Sequence, residues 1–139
     1  MTVLTLLAVL SCARHKLPTA VVRVGDVPVK VELATTPDTR SLGLKHRDSM
    51  PQDEGMLFMY PQTHLRSFWM QDTRIPLSIA FADEDGKIVR IADMSPFSTD
   101  RVPSLYPVRY ALEMNKGWFA KNGVEKGDVL GEIPNVNVE

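Results

Sequence analysis

The chain has little of what several protein classes require. Its 139 residues include one cysteine and three histidines, so an intrachain disulfide and zinc fingers built on paired cysteines are excluded. The 16 basic and 17 acidic side chains nearly cancel, whereas a nucleic-acid binder needs a basic field to displace counterions from phosphates. We therefore expect no nucleic-acid partner. The length corresponds to one ordinary domain.

The common motifs of catalysis and of metal binding are also missing. The sequence contains no glycine-rich phosphate loop, no GxSxG nucleophile elbow and no HExxH pair. The histidines His15, His46 and His64 do not have the spacing of metal ligands. The sequence therefore predicts neither a metal site nor a cofactor.

The N-terminal segment has the composition of an export signal. Residues 3–10 are apolar except for Thr5, and this run is too short to cross a bilayer as a helix. Val9-Leu10-Ser11-Cys12 is similar to a lipobox, although no Lys or Arg precedes the apolar run. A plain signal peptide and a truncated leader therefore stay open as alternatives.

From these features we expect a leader over residues 1–12, with Cys12 as a lipid attachment point if the lipobox is used. The domain would then be extracytoplasmic, in the periplasm, on the cell surface or secreted. Its contact with a membrane would be limited to that lipid.

Local patterns predict two strands and a short helix in the first part of the domain. Residues 27–34 alternate apolar and polar side chains, as in a half-buried strand, and residues 22–24 supply a partner across the turn Gly25-Asp26. Thr36-Pro37-Asp38 has the capping hydroxyl, the proline and the acid of a helix start, and Gly43 can end that helix.

Further strands follow. Residues 55–60 are apolar on both faces and predict a central strand, and residues 64–70, with aromatics on both faces, predict a second covered strand. The pattern of residues 75–82 and 87–94 indicates a hairpin that turns at residues 83–86.

The last third of the chain predicts a long loop and then smaller elements. Residues 95–107 contain three prolines and form the loop, and residues 109–114 alternate as a strand. Asn115 would cap a short helix that runs to Asn122, and a last strand would cover residues 129–133. Seven or eight short strands with two small helices predict a compact, mainly β antiparallel sandwich or barrel, a single domain over residues 21–134.

Three blocks of the sequence resemble the domain of unknown function 192 family in motif and in order. They are GLKHRDSMPQDEGMLFMYP, SFWMQDTRIPLSIAF and YALEMNKGWFAKNGVEKGD. The resemblance extends from about Val29 to Gly131. It implies a compact, mainly β fold that is common in bacteria and archaea, often behind a signal or membrane anchor. It implies no reaction, because the family has no established activity.

The family pattern favours particular positions of this chain. These are Arg47, Glu54-Gly55-Met56, Phe68-Trp69-Met70, Thr73, Ile75-Pro76-Leu77, Glu113 and Gly117-Trp118. The chain departs from the pattern twice, with Asp72 where the family usually has Asn and Ser78 where it usually has Asp. If that second acid served catalysis or metal binding in relatives, Ser78 would remove it here.

Six polar or aromatic residues beside apolar strands form the candidate ligand-binding set. They are Arg47, Glu54, Trp69, Asp72, Thr73 and Glu113. An arginine can hold a carboxylate or phosphate in two parallel bonds, and the acids can accept from hydroxyls or amines. Two structural alternatives remain: Trp69 packs in the core, or Arg47 forms a buried ion pair with Glu54 or Glu113.

These residues lead to three functional hypotheses. The first is a binding or accessory module for a small polar ligand or an envelope component. The second is an interaction module whose loop, residues 95–107, docks an envelope protein through Phe97, Leu105 and Tyr106. The third is a hydrolase with Glu54 and Glu113 as acid and base. The sequence assigns no catalytic residue.

Overall fold

The computed structural model describes residues 16–139, and this part of the chain is mainly β, as predicted. Its elements are β1 (Thr19–Val24), β2 (Val27–Ala34), α1 (Pro37–Leu42), β3 (Glu54–His64), β4 (Ser67–Phe68), β5 (Leu77–Ala82), β6 (Ile88–Met94), β7 (Val102–Pro103), β8 (Val108–Asn115), α2 (Trp118–Lys121) and β9 (Leu130–Gly131). The predicted leader, with Cys12, lies outside the described residues.

Seven strands form one sheet in the order β6-β5-β8-β3-β2-β1-β9, and β4 pairs with β7 separately. The two ends of this order meet, because Lys87 forms a β-bridge with Val129. The Ile88 amide also donates to the Asp128 carbonyl at 2.8 Å. The sheet therefore closes on itself at one end, as in the predicted barrel.

One strand pair departs from the antiparallel prediction. β2 and β3 are parallel, with Val31 opposite Gly55. The intervening chain contains α1, and a crossover of this kind returns the chain to the start of a neighbouring strand. The predicted helix start is confirmed, because Thr36 Oγ1 accepts from the Thr39 amide at 3.2 Å. Gly43 ends α1 with a φ of 49°.

Alternating residues of the central strands supply two separate cores. Leu57 and Leu112 pack in a first core, which also contains Trp118 and Phe119 of α2. A second core, on the opposite face of the same strands, contains Met56 among its residues. Each face of β3 is therefore covered, as its uniformly apolar sequence predicted.

The prediction of a long strand over residues 64–70 was wrong. β3 continues to His64, and in the rest of that segment only Ser67–Phe68 is strand. The Phe68 ring packs edge-on against Phe58 and Phe81, with centroids 5.1 Å and 5.7 Å apart. Trp69 lines a cavity, and Phe68 lines the same cavity from the second core. The two neighbouring aromatic residues thus meet at one cavity instead of covering the two faces of a strand.

The predicted helix cap at Asn115 was also wrong. Asn115 is the last residue of β8, and its side-chain amide donates to the carbonyls of Met50 and Pro51 at 2.9 Å and 3.1 Å. α2 begins three residues later, behind Gly117, which has a φ of 83°. This side chain joins the end of β8 to the chain before β3. The predicted loop over residues 95–107 contains the short strand β7.

Candidate functional site

A cavity of about 270 Å³ opens beside α1 and the second core, and Glu113 contributes to its lining. Glu113 lies in the middle of β8, opposite Met56 on β3 and Ile79 on β5. Its side chain is on the face opposite to that of Leu112, as the sequence pattern predicted. The central strands therefore place an acid where two apolar neighbours flank it.

The Glu113 side chain is buried and has no partner in the described part of the chain. The residue is 5 % exposed, and among residues 16–139 its side chain makes no hydrogen bond or ion pair. Burial raises the pKa of Glu113 to about 8, because removing the carboxylate from water penalises its charged form. At neutral pH most of this carboxyl is protonated, so it can donate a hydrogen bond as well as accept one.

Trp69 forms an aromatic wall of the cavity. The Arg101 guanidinium lies 4.1 Å from the centroid of the Trp69 ring, and Lys45 Nζ lies 6.0 Å from it. Both distances fall within the range of cation–π attraction. The cavity-wall interpretation therefore describes Trp69 better than core packing does, whereas Trp118 is a core residue, 2 % exposed.

Tyr60 is a second aromatic residue of the cavity, and two guanidinium groups flank it. Arg66 lies 3.7 Å and Arg40 4.7 Å from the ring centroid. Burial raises the pKa of Tyr60 more strongly than these two cations lower it. The phenol is therefore neutral at physiological pH and is available as a hydrogen-bond donor.

Thr73 and Asp72 have different positions although they are neighbours in sequence. Thr73 is buried and lines the cavity, and its hydroxyl donates to the Gln71 carbonyl at 3.1 Å. Asp72 is exposed, with a φ of 54°, and its carbonyl accepts from the His46 amide at 3.0 Å. Asp and Asn both tolerate this left-handed conformation. Asp72, which replaces the family's usual Asn, can therefore adopt the same backbone conformation.

Arg47 and Glu54 line a second cavity, of about 170 Å³. Arg47 binds both carboxylate oxygens of Glu32, with Nη2 to Oε1 at 3.1 Å. Glu54 Oε1 lies 3.7 Å from Lys30 Nζ. The predicted ion pair of Arg47 with Glu54 or Glu113 was therefore wrong. The actual partner is Glu32. The alternating pattern of β2 predicted only that Glu32 lies on the polar face of that strand.

The six candidate residues thus do not form one site. Trp69, Thr73 and Glu113 line the first cavity, and Arg47 and Glu54 line the second. Arg47 also lines a third cavity, and Asp72 lines none of the three. The third cavity, also of about 270 Å³, is next to the first and shares Lys45 with it. Glu54 and Glu113, the acid and base of the hydrolase hypothesis, line different cavities.

Sequence reasoning missed the basic residues of the first cavity. They are Arg40, Lys45 and Arg101. Arg40 is in the last turn of α1, and the other two lie in segments without periodic pattern. The only available signal was that Lys45 lies within the first family-like block. Nothing in the sequence brings Arg101 to the Trp69 ring.

Ser78, the second departure from the family pattern, has a structural role. Its hydroxyl donates to Asp93 Oδ1 at 2.6 Å and accepts from the Gly117 amide at 3.0 Å. Asp93 is its direct cross-strand partner on β6. Ser78 thus joins β5 and β6 to the start of α2.

Within residues 16–139, no group of three or more His, Cys, Asp or Glu side chains is close enough to hold a metal ion. None of the helices in this part of the chain has the length and the apolar character needed to cross a membrane.

Comparison with known proteins gives a family match and two solved structures. The DUF192 family, described as an uncharacterized ACR, matches residues 20–131. A crystal structure from Sinorhizobium meliloti 1021, described as a candidate transcription regulator, is 39 % identical with a TM-score of 0.74. The match covers 75 % of this chain and 81 % of that one. No curated protein matches the chain.

The second solved structure is a protein of unknown function from Novosphingobium aromaticivorans DSM 12444. It is 30 % identical to this chain and has a TM-score of 0.79, and the match covers 85 % of this chain and 88 % of the other. Neither description names a ligand or a reaction.

Proposed function

The chain belongs to the DUF192 family, as its three sequence blocks indicated, and we propose that its domain is a binding module for a small polar ligand. The observation that carries the proposal is the buried Glu113 carboxyl in the first cavity, without a partner among residues 16–139. Neither oxygen of Glu113 is among the fully buried side-chain atoms that lack a partner, so the carboxyl is accessible from the cavity. A bound ligand would supply the missing partner.

The size and lining of the cavity suit a small molecule. Its volume of about 270 Å³ is close to the lower limit of ligand pockets. Trp69 and Tyr60 provide flat apolar walls, and Glu113 is a polar group at a fixed position. A few polar groups among apolar walls set the orientation of a ligand in such pockets.

The test is a titration of the full chain with a panel of small probes, followed by NMR of the Trp69 indole N–H. Benzoate, inorganic phosphate, glycine, methylammonium and glucose cover anionic, zwitterionic, cationic and neutral polar ligands. We expect saturable shifts with at least one probe. The heat of binding of that probe, measured by calorimetry because the variant has no Trp69 signal, should be lost in Trp69→Ala. Arg47→Ala is the control and leaves the affinity unchanged, because Arg47 does not line the first cavity. If no probe of any class shifts Trp69, the proposal is wrong.

The proposal places this module outside the cytoplasm. The support is the apolar run of residues 3–10 followed by Val9-Leu10-Ser11-Cys12. Cleavage before Cys12 would attach the domain to a membrane through one lipidated residue, and a plain signal peptide would release it.

A second candidate function is protein interaction through the loop of residues 95–107. Phe97, Leu105 and Tyr106 are 59 %, 60 % and 47 % exposed, so none is buried in the core. Phe97 and Leu105 also have positive φ, a conformation that costs free energy in residues other than glycine. Leu105→Ser should abolish association with an envelope protein that binds wild type, without affecting the cavity. An unchanged association would remove this candidate.

A further inference from the structure

The charges around the first cavity specify a class of ligand. Given that the cavity binds a small molecule, we propose that this molecule is an oxyanion of the carboxylate or phosphate class. Arg101 and Lys45 hold its negative charge, and one of its oxygens accepts a hydrogen bond from Glu113. This inference rests on the proposed function and adds the chemistry of the ligand to it.

The first argument is the balance of charge. Three basic side chains, Arg40, Lys45 and Arg101, line the cavity, against the single acid Glu113. Among residues 16–139, every ion pair lies elsewhere, and none involves Lys45 or Arg101. Arg40 donates to the Met59 carbonyl at 2.9 Å and to the Glu139 carbonyl at 2.6 Å. Within the described part of the chain, Lys45 and Arg101 therefore carry the charge that has no acidic partner, and an anion would neutralise it.

The second argument is the position of Arg101. Its guanidinium lies over Trp69 at 4.1 Å from the ring centroid. A guanidinium on an aromatic surface keeps N–H groups for a planar, two-point contact with a carboxylate or phosphate. The contact with Trp69 reduces the conformational freedom that Arg101 would lose on binding. Lys45, 6.0 Å from the same ring, adds a second cation on the Trp69 wall.

The third argument is the protonation of Glu113. Burial raises its pKa to about 8, so at neutral pH the group offers a donor to an anion rather than a repelling charge. The titratable and charged groups that line this cavity with Glu113 are Tyr60, Arg40, Lys45 and Arg101. Arg109, on β8 itself, does not line the cavity and donates to the Tyr60 carbonyl at 3.2 Å. The cross-strand partner from β5 is the apolar Ile79.

A cationic or zwitterionic ligand fits less well. An ammonium group in contact with Glu113 would require the carboxyl to ionise inside the protein, against its desolvation penalty. It would also have to pass the basic side chains of the cavity lining. An anion meets neither obstacle.

The experiment measures the affinity of the full chain for benzoate and for inorganic phosphate, and for glycine as the zwitterion, by calorimetry between pH 6 and pH 9.5. Benzoate and phosphate distinguish the two sources of an oxyanion. The variants are Arg101→Gln and Glu113→Gln. Arg74→Gln is the matched control, because it also removes one exposed arginine, paired with Asp48 away from the cavity.

We expect at least one anion to bind, and Arg101→Gln to weaken it at least tenfold while Arg74→Gln has no such effect. Wild-type affinity falls by about tenfold per pH unit above pH 8, with proton uptake, because binding requires protonated Glu113. Glu113→Gln keeps a donor and loses this pH dependence. For phosphate, these comparisons are made against the control variant at each pH, since phosphate titrates as well.

Three results would overturn the inference. Glycine could bind in preference to both anions, the affinity for an anion could rise through pH 8, or Arg101→Gln could bind as tightly as Arg74→Gln. In each of these cases a probe still occupies the cavity, so the proposed binding function stands and only the ligand class is wrong. If all probes, including the neutral and cationic ones above, fail to bind, both proposals are wrong.

Discussion

Glu113 and Met56 are direct cross-strand partners in the centre of the sheet, where β8 lies between β3 and β5. A carboxyl group in this position has an apolar neighbour on each side, because Ile79 is its partner on β5. This register is the physical cause of the burial, and burial is the cause of the raised pKa of Glu113.

The stability of the protein should depend on pH through Glu113. The carboxyl has an ordinary pKa of 4.5 when unfolded and about 8 when folded, so between these values the folded state holds a proton that the unfolded state has released. Stability is therefore full below pH 4.5 and falls as the pH rises from there through 8, by on the order of 5 kcal/mol in total.

Glu113→Gln should remove this slope, since the amide does not titrate. We measure the unfolding free energies of Glu113→Gln and of wild type with urea. The difference between them should favour the variant more at pH 9 than at pH 5. Glu54→Gln, on an acid that is partly exposed and paired with Lys30, is the control and should show no comparable gain. Parallel pH profiles for wild type and Glu113→Gln would contradict the prediction.

The ion pair of Arg47 with Glu32 should contribute measurably to stability. Both side chains are less than one-third exposed, and the guanidinium of Arg47 makes two hydrogen bonds to the carboxylate of Glu32. A double-mutant cycle with Arg47→Gln and Glu32→Gln should give a coupling free energy of about 1–2 kcal/mol by urea unfolding. The same cycle on Lys30 and Glu54, which are more exposed, should give less than about 0.5 kcal/mol. Equal couplings would be evidence against this account.

Ser78→Ala should destabilise the fold. The change leaves the Gly117 amide and Asp93 without the hydroxyl, at a cost of about 1–3 kcal/mol. Ser49→Ala, at an exposed serine, is the control. Ser78→Asp would place a second carboxylate opposite Asp93, and charge repulsion would destabilise the protein. Adding Asp93→Asn to Ser78→Asp should restore the stability. The melting temperatures of all four variants test this prediction. If Asp93→Asn does not restore the stability of Ser78→Asp, the prediction is wrong.

Gly55→Ala should cost about 2 kcal/mol or more, because overpacking displaces neighbouring atoms. A Cβ at Gly55 would lie 2.3 Å from Met114 Sδ and 2.5 Å from the Glu113 carbonyl oxygen. Gly131→Ala is the control, since its nearest neighbour would be Arg23 Cβ at 3.8 Å. Similar melting temperatures for the two variants would show that β8 moves away easily.

Cys12→Ser should abolish lipid attachment if the lipobox is used. Expressed in bacteria with radiolabelled palmitate, wild type should carry the label in the membrane fraction, and the variant should not. Residue 12 is the single cysteine of the chain, so any thioester- or thioether-linked label reports on it. An unlabelled wild-type protein in the external medium would favour a plain signal peptide.

Local structure was largely predictable from the sequence. The β5–β6 hairpin and α1 with its Thr36 cap depend on residues close together in the chain, so alternation and capping patterns were sufficient. The prediction of a strand over residues 64–70 failed because its aromatic residues are not placed on two faces of a strand. Phe68 belongs to the second core, and both Phe68 and Trp69 line the first cavity, which a local pattern does not reveal.

The sequence by itself determined the β-rich fold, the family and three residues of the first cavity, Trp69, Thr73 and Glu113. Only the tertiary structure decided that Arg47 pairs with Glu32 and that Arg101 lies on Trp69. Contacts between residues far apart in sequence depend on strand order and register, which arise from burial over the whole sheet. The ligand-binding chemistry proposed here depends on those distant contacts, and for that reason its basic residues were not recognised from the sequence.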